Sequence, residues 1–209
     1  MQNTEWNIPL CPFPSVLWWK LQRAGCNIDI GRNYVKQTMR NRYIILSAQG
    51  PLTLTIPVRS QNGQPMPYES IELETGSWPS KHWRSIAAAY GKSAYFEHYE
   101  HKLRPLFEQQ FHSLLAFNTA ALEVLCGLIK MNTPPMQKEI QGEDLSPMFE
   151  PSFATPPLPK HVQVFMDRLP FVSNLSILDA LMNLGPNTQE YLSSFHIQFQ
   201  HRPCRVTVA

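Results

Sequence analysis

The sequence predicts an α+β protein with a small, mostly antiparallel sheet, a helical middle and a mixed C-terminal segment. Three observations predict it. Two β-prone runs, Tyr43-Ile-Ile-Leu-Ser47 and Leu52-Thr-Leu-Thr-Ile-Pro-Val58, flank the turn sequence Ala48-Gln-Gly-Pro51, the pattern of a hairpin. From Ser80 to Lys130 the apolar residues recur with the helical period of about 3.6. Beyond Lys160, strand-like and helix-like stretches are mixed, so the chain reads as a sheet, then helices, then both.

Taken in order, residues 26–30 read as a strand, and the hairpin follows at 42–58. In its second strand Leu52, Leu54, Ile56 and Val58 share one face, while Thr53, Thr55 and Pro57 share the other. Pro57 cannot donate to a ladder, which places this strand at a sheet edge or at its own end. Residues 59–69 form a polar loop, and Ser70-Ile-Glu-Leu-Glu74 alternates like a third strand. Trp83, Ile86, Ala87 and Tyr90 then fall at i, i+3, i+4 and i+7, with Ser77 or Ser80 as N-cap and Gly91 past the end. A second helix carries Phe96, Tyr99 and Leu103 and is broken or kinked at Pro105. A third, over 111–130, has a stripe of Phe111, Leu114, Leu115, Leu122, Leu125 and Ile129. On that stripe Asn118 must find buried hydrogen-bond partners.

The stretch 132–160 holds Pro134, Pro135, Pro147, Pro151, Pro156, Pro157 and Pro159 and reads as a loop or lid. Residues 161–166 read as a short strand. Leu175 to Leu184 reads as a helix stopped by Gly185-Pro186, and Asn187 with Glu190 forms a capping-box pattern for another. The tail from Phe195 alternates like a strand.

At 209 residues the chain suits one principal domain spanning 1–209, with the Pro-rich loop inside it. Nineteen Pro against nine Gly predict rigid, ordered connections. A net charge of +2 is too small for general nucleic-acid binding, so any basic function is local. Cys11, Cys26, Cys126 and Cys204 show no C-x-x-C pair and no regular spacing, which fits reduced thiols in a cytoplasm. No secretory leader and no apolar run of about 18 residues is present, so a soluble cytoplasmic protein without a membrane span is expected.

Lys36, Arg40 and Arg42 form the most informative chemical feature. On an extended segment they share a face, spread over about 20 Å, and are either aimed at an anion or solvated. Asp179 and Asn183, four apart on a helix, are a candidate base with its orienting amide or an ordinary polar face. His82 is a second candidate base, against the reading of a surface histidine beside Trp83. Trp18, Trp19, Tyr34 and Tyr43 are candidates for stacking on a sugar or base, or for the core. His98, His101 and His112 fit no metal-binding spacing, so no metal is expected. Phosphate loops, dinucleotide fingerprints and nucleophile elbows are all missing, and no cofactor is indicated.

Together, several segments resemble the WbqC-like proteins of bacterial surface-polysaccharide gene clusters. They are Cys11-Pro-Phe-Pro14, Asn33-Tyr-Val-Lys36 with Arg40-Asn-Arg42, Thr55-Ile-Pro-Val58, His82-Trp-Arg-Ser-Ile-Ala-Ala-Ala-Tyr90 with Ala94-Tyr-Phe-Glu97, and Asn174-Leu-Ser-Ile-Leu-Asp179 through Asn183-Leu-Gly-Pro186. Their order and spacing carry the likeness over nearly the whole chain. Two departures stand out: Leu10-Cys11 where the family has a Gln-Pro start, and Val162 where an aromatic precedes Gln163.

The resemblance implies a role in making O-antigen or related glycans. The expectation is an acyl- or aminoacyl-type transferase acting on a nucleotide-linked or phosphorylated (amino) sugar. Lys36, Arg40 and Arg42 would hold its anionic part. Tyr34, Asn41, Gln163 and Asn183 are further candidates for binding it, and Asp179 or His82 would remove the amine proton. The alternative is a non-catalytic binding or assembly protein that docks on a glycan-pathway enzyme through its aromatic face and Pro-rich loop.

Overall fold

The computed structural model describes residues 5–59, 64–150, 153, 155, 157–200 and 205–208. The chain opens with strand β1 (Trp6–Pro9), passes through residues 10–15 into helix α1 (Val16–Arg23) and returns as β2 (Asn27–Asp29). β2 runs parallel to β1 with Ile28 opposite Ile8, so the first three elements make a βαβ unit. Val16 to Leu21 are all buried, Trp18 and Trp19 completely, which packs α1 into the core.

Two short antiparallel ladders follow. β3 (Asn33–Tyr34) pairs with β6 (Met66–Pro67), and between them β4 (Arg42–Ser47) and β5 (Gly50–Thr55) form the expected hairpin, with Ser47 opposite Gly50. Beyond the ladder, Asn41 continues the pairing: Ile56 N donates to its carbonyl at 2.8 Å, and its Nδ2 donates to Ile56 O at 2.9 Å. Residues 68–70 are a 3₁₀ turn, and the third strand expected at 70–74 is reduced to isolated bridges, Val58 to Leu73 and Glu72 to Ser113.

Helices α2 (Trp78–Tyr90), α3 (Phe96–Leu103), α4 (Pro105–Glu108) and α5 (Leu114–Ile129) make the middle of the chain. Pro105 does more than end α3: it opens α4, where a missing N–H is no loss. α5 starts past Phe111 because Ser113 Oγ accepts from Ala116 N at 3.2 Å, a side-chain N-cap. It ends where Lys130 turns left-handed at φ 59°.

The Pro-rich stretch supplies two strands of two residues each, β7 (Met136–Gln137) and β8 (Glu143–Asp144), before a 3₁₀ turn at Ser146–Phe149. Residues 164–168 are turns, with Leu169 N donating to Phe165 O at 2.8 Å, so the strand expected at 161–166 does not form. α6 (Ile177–Leu184), α7 (Thr188–Ser193) and an antiparallel pair, β9 (Ile197–Gln200) with β10 (Arg205–Val208), complete the chain.

The expected small, mostly antiparallel sheet is overturned by the strand pairing. The largest sheet has four strands in the order β7-β2-β1-β8, and its pairings are all parallel. The antiparallel pairs stand apart as two-stranded ladders. β1 is buried at Asn7, Ile8 and Pro9 and carries no alternation, as expected of a parallel strand covered on both sides. Among the described residues no helix is long and apolar enough to cross a membrane.

α1 and α6 meet at their N-termini. Val16 N donates to Leu175 O at 3.1 Å, Ile177 N to Pro14 O at 2.9 Å, and Ser15 bridges Ser176.

Candidate functional site

A cleft of about 160 Å³ opens where the two helix N-termini meet. Its walls are the segment after β1 (Cys11 to Ser15), the start of β4 (Arg42 to Ile44), the segment after β8 (Met148 to Glu150) and the residues leading into α6. It therefore lies beyond the carboxyl ends of β1 and β8, two neighbouring strands that are not consecutive in the chain. The chain leaves β1 toward β2 on the opposite side, so a crevice is left between them. Such crevices are where ligands bind in parallel sheets.

Local hydrogen bonds hold the walls. Trp18 Nε1 donates to Pro9 O at 2.6 Å, tying α1 back to the strand it follows. Leu17 N donates to Asn174 Oδ1 at 2.9 Å, and Ser176 N to Ile44 O at 2.8 Å, which locks α1, α6 and β4 together. Phe13 and Asn174 take left-handed backbone at φ 42° and 55°. For Phe13 that costs steric strain, which packing against Tyr43, 4.9 Å between ring centroids, and Phe107 sustains.

The charge on the walls is mixed. Arg42 lines the cleft, and its Nε is buried without a hydrogen-bond partner. Arg40 lies behind, 4 % exposed, with Nη2 donating to Ser146 Oγ at 3.2 Å. Among the described residues neither arginine has a carboxylate within ion-pairing distance. Burial pushes the Glu150 carboxyl up from its ordinary value, against the opposing pull of Arg40 and Arg42. Burial also pushes the Cys11 thiol up to about 12, Arg40 offsetting part and Glu150 adding to it, so this cysteine is no nucleophile at neutral pH. Tyr34 is raised by burial, with Arg42 and Arg40 opposing. Ser15 Oγ is buried without a partner.

The residues singled out in the sequence are only partly brought together. The basic run is not one strand face: Lys36 and Gln37 turn, Gln37 at φ 61°, and residues 39–41 form a 3₁₀ turn before β4 begins at Arg42. Arg40 and Arg42 consequently share an electrostatic neighbourhood with Tyr34, whereas Lys36 sits exposed on the turn.

His82 is buried beside Trp78 and is no surface histidine. The carbonyl of Thr55, at 3.2 Å, can only accept, so Nε2 carries the proton, and Nδ1 accepts from the Tyr43 hydroxyl at 3.0 Å. Burial holds it near 4 and hence neutral at pH 7.

Asp179 is fully buried on α6, outside the cleft lining. His161 Nε2 and Gln163 Nε2 both meet its Oδ2 at 2.8 Å. Asn183 Nδ2 donates to Asp179 O at 2.7 Å, within its own helix. Asn118, as its place on the stripe demanded, donates through Nδ2 to Arg40 O at 2.8 Å and to the Tyr68 hydroxyl. His161, Ser15 and Glu150 escaped sequence reading. Glu150 sits in a Pro-rich segment without periodicity, and only the depth of Asp179 could have pointed to a hydrogen-bond donor such as His161.

Among the described residues no group of three or more His, Cys, Asp or Glu side chains can hold a metal ion. Neither curated proteins nor solved structures yield a match to the chain. A model of the WbqC-like protein family matches residues 31–146, a span that opens just before β3 and closes in the turn after β8 with Ser146, the partner of Arg40. That span is more than half of the chain and carries the hairpin, both arginines and α2 to α5, and on this match the protein belongs to the WbqC-like protein family.

Proposed function

We propose that the chain binds a phosphorylated or nucleotide-linked sugar by its anionic group in this cleft and modifies it as a transferase of bacterial surface-polysaccharide assembly, O-antigen included. The observation that carries the reading is the unpaired arginine pair. Arg40 is buried and Arg42 half-buried, Glu150 attracts both without forming an ion pair with either, and an incoming anion supplies the direct contact that Glu150 does not make. Arg42 contacts the anion and Arg40 adds potential from behind. The volume of about 160 Å³ is below the roughly 300–1,000 Å³ that encloses a drug-sized ligand, so a phosphate and part of one sugar ring fit while a nucleoside lies outside. The transferred group in this reading is acyl or aminoacyl, and the acceptor is a sugar amine. Asp179 and His82 support the walls rather than touch the ligand: His82 fixes Tyr43, which lines the cleft, and Asp179 anchors α6, whose leading residues do.

One observation favours the second reading, a non-catalytic binding or assembly protein. Among the described residues the cleft lining holds no thiol or aliphatic hydroxyl hydrogen-bonded to a base: the Cys11 thiol stays protonated, and His82 accepts from the Tyr43 phenol. A thermal-shift screen of sugar phosphates, nucleotide-sugars and acyl donors tests both. A ligand at about 100 times its dissociation constant adds about 2.7 kcal/mol. Stabilisation abolished by Arg42→Ala is the expected result; the same shift in that variant removes the anion site. Turnover of the bound sugar with an acyl donor distinguishes the transferase from the assembly protein.

A further inference from the structure

We infer that the cleft selects a sugar phosphate that carries a free amine, with the phosphate on Arg42 and the ammonium on Glu150; the inference rests on the anion-binding reading above.

The cleft wall presents a cation and a carboxylate that attract each other across the space without forming an ion pair. Arg42 opens β4 and Glu150 follows the 3₁₀ turn after β8, both line the same small space, and no ion pair joins them. Each keeps unused hydrogen-bonding capacity. Arg42 Nε has no partner, and the Glu150 side chain makes no hydrogen bond or ion pair among the described residues. A simple anion satisfies Arg42 and is repelled by Glu150, and a ligand with a second anion is repelled more. A neutral sugar phosphate leaves the carboxylate beside the phosphate without a partner. Only a ligand with opposite charges a few ångströms apart satisfies both walls, and an amino-sugar phosphate has that pattern.

The surroundings agree. The charged and titratable groups facing Glu150 are Arg40 and Arg42 from the segment ahead of β4 and its start, and Cys11 from the segment after β1. Tyr43 lines the same cleft, but its hydroxyl is directed to His82. None of them donates to the carboxylate. Burial disfavours its charged form, and an ammonium would restore what the lost water supplied. Met39 and Phe149, both partly exposed, offer apolar surface to the face of a sugar ring, and Ser15 Oγ offers a hydroxyl partner.

The test is calorimetric titration of glucosamine 6-phosphate and glucose 6-phosphate at about pH 6.5, below the roughly 7.7 at which an α-type amine loses its proton. We expect the wild-type chain to bind the amine-bearing sugar about tenfold more tightly, the scale of one charge-assisted hydrogen bond. Glu150→Gln should bind both sugars alike, and Arg42→Ala should lose both. No preference in the wild type, or a preference that survives Glu150→Gln while Arg42→Ala still abolishes binding, overturns the inference and leaves the anion site standing. Unchanged binding in Arg42→Ala, or no binding of either sugar to the wild type, overturns the anion site and the inference with it.

Discussion

His161 Nε2 lies 2.8 Å from Asp179 Oδ2, with the two side chains 5 % and 1 % exposed. Gln163 Nε2 meets the same oxygen, and its amide also exchanges two 2.9 Å hydrogen bonds with Val172, one in each direction. Two residues of an irregular segment thereby fasten residues 161–172 onto α6. The imidazole packs edge-on against Phe171 and Tyr191, at 5.3 and 5.0 Å between centroids. Burial first and the charge of Asp179 second push the Tyr191 phenol up to about 12.

Asp179→Ala should lower the unfolding free energy by about 2–4 kcal/mol, because it leaves a buried imidazole and a buried amide each short of an acceptor at once. Urea denaturation measures it. A change under about 1 kcal/mol would mean that this carboxylate does not hold the segment.

His82 predicts a pH dependence of stability. Its folded value near 4 lies below the ordinary 6.5, so the unfolded chain binds the proton more readily. The contribution is therefore fully present above about pH 6.5 and is lost as pH falls toward 4, by up to about 3 kcal/mol. His82→Gln should flatten the stability profile across that window. Profiles of equal slope in both proteins would refute it.

Arg40→Met should separate stability from binding. Replacing a buried, unpaired guanidinium by an apolar side chain of similar length is expected to leave stability unchanged or raise it by about 1–2 kcal/mol. Anion affinity should meanwhile fall, since Arg40 adds to the potential behind Arg42. A variant that loses stability and keeps anion affinity would show that the arginine serves the fold alone.

Cys11, Cys26 and Cys126 are buried and outside any disulfide, and burial pushes Cys11 to about 12 and Cys126 to about 11. Iodoacetamide at neutral pH should leave all three unlabelled in the folded protein and modify them in denaturant, as intact-mass and peptide analysis would show. Rapid labelling of Cys11 under native conditions would overturn the account of a protonated thiol at the cleft.

Helices with a full apolar stripe were legible. α2, α5 and α6 carry three or more apolar residues at helical spacing, and the ends of α2 and α6 are marked by Ser77 and Gly91 and by Gly185, whereas the Ser113 cap that starts α5 past Phe111 emerged from the structure. The hairpin was legible for the same reason, since period-two runs of β-formers flank a short turn. The cleft was half legible. Arg40 and Arg42 were singled out, but their placement depended on the turn at Lys36 and Gln37, and Gln37 carries no residue signature for φ 61°.

The sequence by itself determined the elements whose stability is local: the amphipathic helices, their caps and the β4–β5 hairpin, where each residue's neighbours along the chain are also its neighbours in space. Only the tertiary structure decided the parallel sheet and the cleft at its edge. β7 and β8 are two residues long and show no period, and their partners come from the far end of the chain, as when Asn7 Nδ2 donates to Gln141 O at 2.6 Å across 134 residues. Such strands are selected by the backbone groups they satisfy and the core they cover. The same closure brings Glu150 into the cleft that Arg42 lines, and that juxtaposition is written in no single segment of the chain.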